Sequence, residues 1–198
     1  MRDLLTWTTW LLMLWGVSAC AGVIKIEPVP TPPLLPTPVP MPPVQSLEGI
    51  PRRIIINKIN LDAPVVEMDW GMQGEGEQAV SVWNVPENEA GWHVNSAQPG
   101  QSSNVVISGH NNSTGGHVFG QLEALDVGDR IEIWTTADKP YRYQISETQI
   151  VRTFGASLET LDYLRSVMEP TPTEQLTLIT CWPSWTNTHR LIIVARPI

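Results

Sequence analysis

Cysteine is scarce in this sequence, and positive charge is nowhere concentrated. Two cysteines in 198 residues cannot supply a disulfide framework or a cysteine-rich zinc module. Twelve basic residues are dispersed among twenty acidic ones, a pattern that predicts no nucleic-acid binding. Charged residues make up 16% of the chain and hydrophobic residues 42%, which excludes a disordered polyelectrolyte and an integral membrane bundle.

Several sequence signatures of catalytic chemistry are also missing. The chain has no HExxH or CxxC spacing for a metal and no GxSxG motif of a serine hydrolase. The glycine-rich residues 71–76 lack the lysine and the strand-to-helix context of a phosphate loop, so they are interpreted as a flexible turn. The sequence therefore indicates neither a metal nor another cofactor.

An apolar segment occupies residues 1–25. Residues 4–24 carry no charge, and this length is close to the roughly 20 residues with which a helix crosses a bilayer. A proline-rich tract follows, so the segment has no adjoining domain to pack into as a core helix. It predicts export, with the rest of the chain on the outer side of the cytoplasmic membrane.

Two forms of export remain open. In one, residues 1–25 are an uncleaved signal-anchor. In the other they are a cleaved signal peptide, because Val17-Ser18-Ala19-Cys20 resembles a bacterial lipobox in which Cys20 becomes lipidated. Both forms keep the chain tethered to the membrane.

Residues 26–46 form a proline-rich stalk. Residues 27–44 hold nine of the eighteen prolines, a density that prevents helix and sheet and favours polyproline II. At about 3.1 Å per residue, this segment reaches roughly 50–60 Å. It predicts a spacer between the membrane and a globular domain at residues 47–198.

Residues 47–198 have the composition of a globular domain with a single core. Period-two alternation, β-branched residues and intervening turns predict strands at residues 53–59, 63–67, 104–108, 130–135, 141–150, 175–181 and 190–196. Helical patterns are confined to residues 118–125 and 158–167, the second with Ser157 as a cap. Many short strands and few helices indicate a mainly β fold, either a closed barrel or a sandwich.

Cys181 is a candidate nucleophile. A lone cysteine in a strand is more commonly a buried, inert residue. However, Cys20 lies in or next to the membrane, so no intramolecular disulfide is expected, and a free thiol in an exported domain needs an explanation. Thr180 and Pro183 flank Cys181, which predicts that its strand ends at an edge where a substrate could approach.

A thiol nucleophile needs a neighbouring base or cation. Among the four histidines, His110 follows an apolar strand and a glycine, so two strand ends could set it beside Cys181. His93, His117 and His189 are interpreted as structural or loop residues. Arg190 begins the strand after Cys181 and could stabilise an oxyanion, with a surface ion pair as the alternative.

Together these segments resemble the sortases, membrane-tethered cysteine transpeptidases of bacterial surfaces. Thr177-Leu178-Ile179-Thr180-Cys181 is similar to the TLxTC active-site strand of that family, and Arg190-Leu191-Ile192-Ile193-Val194 is similar to its RLIV strand. Ile107-Ser108-Gly109-His110 is similar to the segment of the catalytic histidine. The run Cys181-Trp182-Pro183 looks closest to the class D and E branches.

The resemblance implies a closed sortase-type β-barrel of about eight strands with one or two short helices. It also implies that Cys181 attacks a C-terminal sorting motif of LPxTG type on a surface protein, cleaves between Thr and Gly and forms a thioacyl-enzyme. His110 would serve as general acid and then base, and Arg190 would bind the substrate backbone or the oxyanion. The acceptor would be an amine, from a wall precursor or a pilin lysine.

Two other functions remain open. A non-catalytic surface-binding lipoprotein would bury Cys181, and the native thiol would resist alkylation. A cysteine hydrolase on the same barrel would give a product that added amines do not change.

Overall fold

The computed structural model describes residues 49–74, 80–111 and 117–198. The predicted amino-terminal segment, the stalk and Cys20 lie outside the described residues. In the part of the chain that is described, no helix is long and apolar enough to cross a bilayer.

Ten strands and one α-helix make up the regular structure of the described residues. In chain order these are β1 Pro51–Ile56, β2 Leu61–Met68, β3 Trp70–Gln73, β4 Val80–Trp83, β5 Ala90–His93, β6 Asn104–Ser108, β7 Arg130–Thr135, β8 Pro140–Arg152, α1 Leu158–Ser166, β9 Gln175–Trp182 and β10 His189–Pro197. Eight strands close into a barrel in the order β1-β2-β5-β6-β9-β10-β8-β7, while β3 and β4 form a separate antiparallel pair. The predicted mainly β closed barrel is confirmed.

The barrel is filled by alternate side chains of its strands. On β1 the inward residues Ile54 and Ile56 are fully buried, as are Ile131 and Ile133 on the neighbouring β7. This is the period-two pattern that a strand with one face on a core requires. The largest fully buried side chains are Trp92 on β5, Tyr143 on β8 and Phe119 in the segment after His110.

Two pairs of strands in the barrel are parallel. These are β2 with β5, and β6 with β9. In the second pair Ser108 lies opposite Ile179, so both strands end at the same edge of the barrel. Strand β10 then pairs antiparallel with β9, with Arg190 opposite Cys181.

A buried polar network holds the connection after α1 against the barrel. The Asn104 side chain donates to the carbonyls of Val167 and Glu169 at 2.9 and 3.2 Å. Its oxygen accepts from Thr177 Oγ1 at 2.8 Å, and Thr177 accepts from Gln175 at 3.0 Å. Because the side chains of Asn104, Gln175 and Thr177 are buried, a lost bond would leave one of them unsatisfied, so the network fixes this connection tightly.

Most predicted elements are confirmed, with small shifts at their ends. The strand predicted for residues 53–59 stops at Ile56, because the chain tightens into a 3-10 turn, Asn57–Ile59, and Asn60 takes a left-handed conformation at φ 49°. The second predicted helix is α1, and the backbone N–H of Thr160 donates to the capping Ser157 Oγ at 3.2 Å.

The helix predicted for residues 118–125 is wrong. Only a 3-10 turn, Leu122–Ala124, forms there. The backbone N–H groups of Leu122, Ala124 and Leu125 donate to carbonyls three residues earlier, so the segment closes as tight turns in place of an α-helical ladder. Strands β3, β4 and β5 were not predicted, and the turn predicted at residues 71–76 begins within β3.

We expect Gly109→Ala to destabilise the fold. A Cβ at position 109 would lie 2.6 Å from Val118 Cγ1 and 2.7 Å from the fully buried Phe119 ring, so packed atoms would have to move. Overpacking of this kind costs about 1–3 kcal/mol of unfolding free energy. Urea denaturation measures this loss. Gly71→Ala is the control, since its nearest neighbour is 3.5 Å away, and equal midpoints for both variants would contradict the expectation.

Candidate active site

Neighbouring strand ends bring Cys181, His110 and Arg190 to one groove. Cys181 and Arg190 are register partners on β9 and β10. His110 follows β6, and the N–H of Gly109 donates to the carbonyl of Ile179 at 3.2 Å, which extends the pairing beyond the end of the strand. All three side chains line a cavity of about 480 Å³. The placement matches the geometry that the sequence predicted, while the catalytic roles of the three residues stay predictions.

The rest of the groove is mostly apolar. Ser108, Ile179 and Ile192 form its floor, and they are neighbours in register across β6, β9 and β10. The β3–β4 pair and the chain after it contribute Val82, Trp83 and Val85, and the α1 region contributes Leu161, Leu164, Val167 and Met168. Such a lining suits an uncharged ligand, because burying an unpaired charge against it is costly.

Side-chain hydrogen bonds tie the His110 segment to the end of β9. Thr180 Oγ1 donates to the carbonyl of Gly109 at 2.8 Å. The buried Asn111 donates through Nδ2 to the carbonyl of Cys181 at 3.1 Å. These bonds lie on both sides of His110 in sequence, so they fix its backbone relative to the partly exposed Cys181.

Arg190 is held by backbone carbonyls. Its Nη1 donates to the carbonyls of His189 at 3.1 Å and Asn187 at 3.4 Å. Among residues 49–74, 80–111 and 117–198, no carboxylate forms an ion pair with Arg190. The alternative of a surface ion pair is therefore not what the structure shows, and the remaining guanidinium donors are available for a carbonyl or an oxyanion.

His93 is a neutral, buried histidine in the groove. It is 2% exposed, and its Nε2 lies 2.7 Å from Ser108 Oγ. Its ring packs on that of Trp83 with centroids 4.1 Å apart. Burial lowers the pKa of His93 to about 4, so the imidazole carries no charge at neutral pH.

The sequence did not identify the floor of the groove or the buried Asn111. The sequence could have indicated Ser108 as a groove residue, because period-two alternation places it on the same face of the chain as His110. Nothing local indicated that Trp83 would reach His93. His117 and His189 do not line the groove, in agreement with their interpretation as loop or structural residues.

Comparisons with known proteins identify one family. The family model of the sortase domain matches residues 54–198. The structure is similar to sortase C1 from Streptococcus agalactiae, with 26% identity, a TM-score of 0.57 and coverage of 76% of this chain and 68% of that chain. It is also similar to a lid mutant of sortase A from Corynebacterium diphtheriae, with 25% identity, a TM-score of 0.55 and coverage of 79% and 74%.

A third similar structure is a sortase D5 transpeptidase from Clostridium perfringens. It has 27% identity and a TM-score of 0.53, with coverage of 75% of this chain and 78% of that chain. A search among curated proteins found no match.

We expect His93 to make folding stability pH-dependent. The folded protein keeps His93 neutral to about pH 4, whereas an unfolded histidine binds a proton near pH 6.5. Between these values the unfolded state binds more protons, so stability falls as the pH falls, by up to about 3 kcal/mol from this group.

His93→Gln keeps a hydrogen-bonding side chain but does not titrate, so its unfolding free energy should depend less on pH between 6.5 and 4. Urea denaturation across that range measures the slope. His117→Gln, at an exposed histidine, should keep the wild-type slope, and an unchanged slope in His93→Gln would overturn the assignment.

Proposed function

Because this chain belongs to the sortase family, as the resemblance of its sequence implied, we propose that it is a cysteine transpeptidase acting on surface proteins with a C-terminal sorting motif of LPxTG type. The observation that carries the proposal is the meeting of Cys181, His110 and Arg190 at one apolar groove of the barrel.

The first step of the proposed reaction is acylation of Cys181. The Cys181 thiolate attacks the carbonyl carbon of the motif threonine, and guanidinium N–H groups of Arg190 stabilise the oxygen that becomes negative. Protonated His110 gives its proton to the glycine nitrogen as the C–N bond breaks. The carboxyl-terminal fragment leaves as an amine, and the threonine remains as a thioester on Cys181.

The second step transfers the acyl group to an acceptor amine. His110, now neutral, removes a proton from the amine as its nitrogen attacks the thioester carbon. An amide forms, the C–S bond breaks, and the Cys181 thiolate is restored beside protonated His110. Water in place of the amine would release a free acid, so the same groups support hydrolysis if water outcompetes the acceptor.

The position of the thiol favours an enzyme over a binding module. A non-catalytic module would keep Cys181 buried and inert. Cys181 is instead partly exposed and lines the groove beside Arg190 and His110. The apolar lining supports an acyl donor whose groove-bound residues are uncharged.

We further propose that the enzyme works outside the cytoplasmic membrane. The uncharged residues 4–24 support a signal-anchor or a lipoprotein signal, the latter with lipidation of Cys20. The proline-rich residues 26–46 support a stalk that holds the barrel away from the membrane. Substrate proteins and an amine acceptor, a wall precursor or a pilin lysine, would meet the enzyme there.

The central test is turnover of motif peptides by the purified full-length protein. LPxTG and LAxTG peptides are incubated with triglycine, and mass spectrometry follows cleavage between Thr and Gly. We expect a threonine–triglycine product and an acyl adduct on Cys181. Cys181→Ala should abolish both, and His110→Ala should lower the rate by about 10²–10⁴-fold because general acid–base catalysis is lost.

The controls separate the alternatives. Circular dichroism establishes that each variant is folded. Free acid as the product at every triglycine concentration would favour a hydrolase. Normal turnover by Cys181→Ala would refute the proposal, and a folded wild-type protein whose Cys181 resists alkylation would favour the binding module.

Arg190 should contribute through its planar, donor-rich guanidinium. We expect Arg190→Ala to lower kcat by about 10²–10³-fold, the size of effect seen when an oxyanion donor is removed. Arg190→Lys keeps the positive charge but loses the planar set of N–H donors, so it should recover only part of the rate. Steady-state kinetics with the best peptide measures both. Arg142→Ala, which removes a surface ion pair with Glu132, is the control, and equal effects at the two positions would contradict this role.

A further inference from the structure

A short hydrogen bond joins the residue after the nucleophile to the segment after the histidine. Trp182 Nε1 donates to Glu123 Oε2 at 2.6 Å. Trp182 follows Cys181 in the chain, and Glu123 lies in the 3-10 turn Leu122–Ala124. Glu123 is exposed, so this short bond, of the charge-assisted kind that is stronger than a neutral one, is what ties its side chain to Trp182.

Both ends of this hydrogen bond are anchored. On the turn, Leu122 is 1% exposed in the core. Phe119, fully buried, begins the same segment with its backbone bond to the carbonyl of His110 at 3.0 Å. On the strand, the partly buried Trp182 ring packs against the barrel core. The bond therefore links two elements that are each fixed, one to His110 and the other to Cys181.

The same indole also contacts the strand that carries the arginine. Trp182 and His189 are register partners, and their rings meet edge to face with centroids 5.5 Å apart at 87°. His189 Nδ1 is 2.9 Å from Thr188 Oγ1, and the next residue is Arg190. One side chain thus touches the segments of all three proposed catalytic groups while lying outside the groove.

We propose that Trp182 and Glu123 are positioning residues that set the placement of Cys181 relative to His110. This inference rests on the proposed function. Neither residue lines the groove, so the pair acts on the alignment of the reacting groups and leaves binding of the acyl donor unchanged. Small misplacements of catalytic groups reduce rates strongly, which is why such a pair would show its effect in kcat.

The test compares four variants of the full-length protein. Trp182→Phe removes the indole N–H and keeps a ring, and Glu123→Ala removes the acceptor. We expect each to lower kcat by about 10-fold with KM changed by less than about 2-fold, because alignment and not binding is lost. Glu123→Gln keeps an oxygen acceptor and should recover kcat to within about 3-fold of wild type. Glu132→Ala is the matched control, since Glu132 is a surface carboxylate outside the groove.

Alkylation with iodoacetamide, assigned to Cys181 by peptide mass spectrometry because the full-length chain also holds Cys20, gives the fraction of competent enzyme, so that kcat is stated per competent thiol. A lower melting temperature with an unchanged kcat per competent site would show a purely structural role and overturn the proposal. A wild-type kcat in Trp182→Phe, or a Glu123→Gln protein as slow as Glu123→Ala, would also overturn it.

A second measurement does not depend on peptide turnover. The rate of Cys181 alkylation is followed against pH in wild type, His110→Ala, Trp182→Phe and Glu123→Ala. The two positioning variants should shift toward the His110→Ala profile. A wild-type profile in these variants, or in His110→Ala itself, would count against the proposal. If no peptide is turned over but the profiles shift as expected, the proposed function fails and the positioning pair stands.

Discussion

Parallel pairing between β6 and β9 brings the ends of two strands to the same edge of the barrel, because parallel strands run in one direction. His110 lies just beyond the first of these strands, and Cys181 lies near the end of the second. An antiparallel arrangement would have placed the two side chains at opposite ends of the barrel. Every other feature of the site, including the register that adds Arg190 from β10, builds on this pairing.

The candidate groove is apolar along its walls, but buried polar contacts give it its shape. Asn104 and Thr177 hold the connection after α1 in place beside the groove. The hydrogen-bonded pair of His93 and Ser108 lies at another part of the groove. Each of these polar groups is paired, so the interior tolerates them without the cost of unsatisfied donors. A groove of this kind can be rigid and still contain few exposed charges.

The sequence was most informative where a strand has one face on the core. The bounds of β6 and β7 were predicted correctly, and so was the capped helix α1, because alternation and capping are local patterns. The helix expected at residues 118–125 failed because the segment closes through i→i−3 bonds, such as that from the Leu122 N–H to the Phe119 carbonyl, and Gly120 within it is a poor helix former. The short strands β3, β4 and β5 give too little periodicity to detect.

The candidates Cys181, His110 and Arg190 could be proposed from strand-end positions, whereas the contacts of Asn111 and Glu123 join residues far apart in sequence and left no local signal.

The bond from Asn111 to the carbonyl of Cys181 spans 70 residues of chain. Contacts between residues so far apart in sequence slow the folding of β-rich domains, because a long loop must close before they form. In an unfolded chain Cys181 has no imidazole held beside it. Cys181 and His110 come together only as the native structure forms, so a misfolded molecule would lack this paired arrangement altogether and not merely hold it loosely.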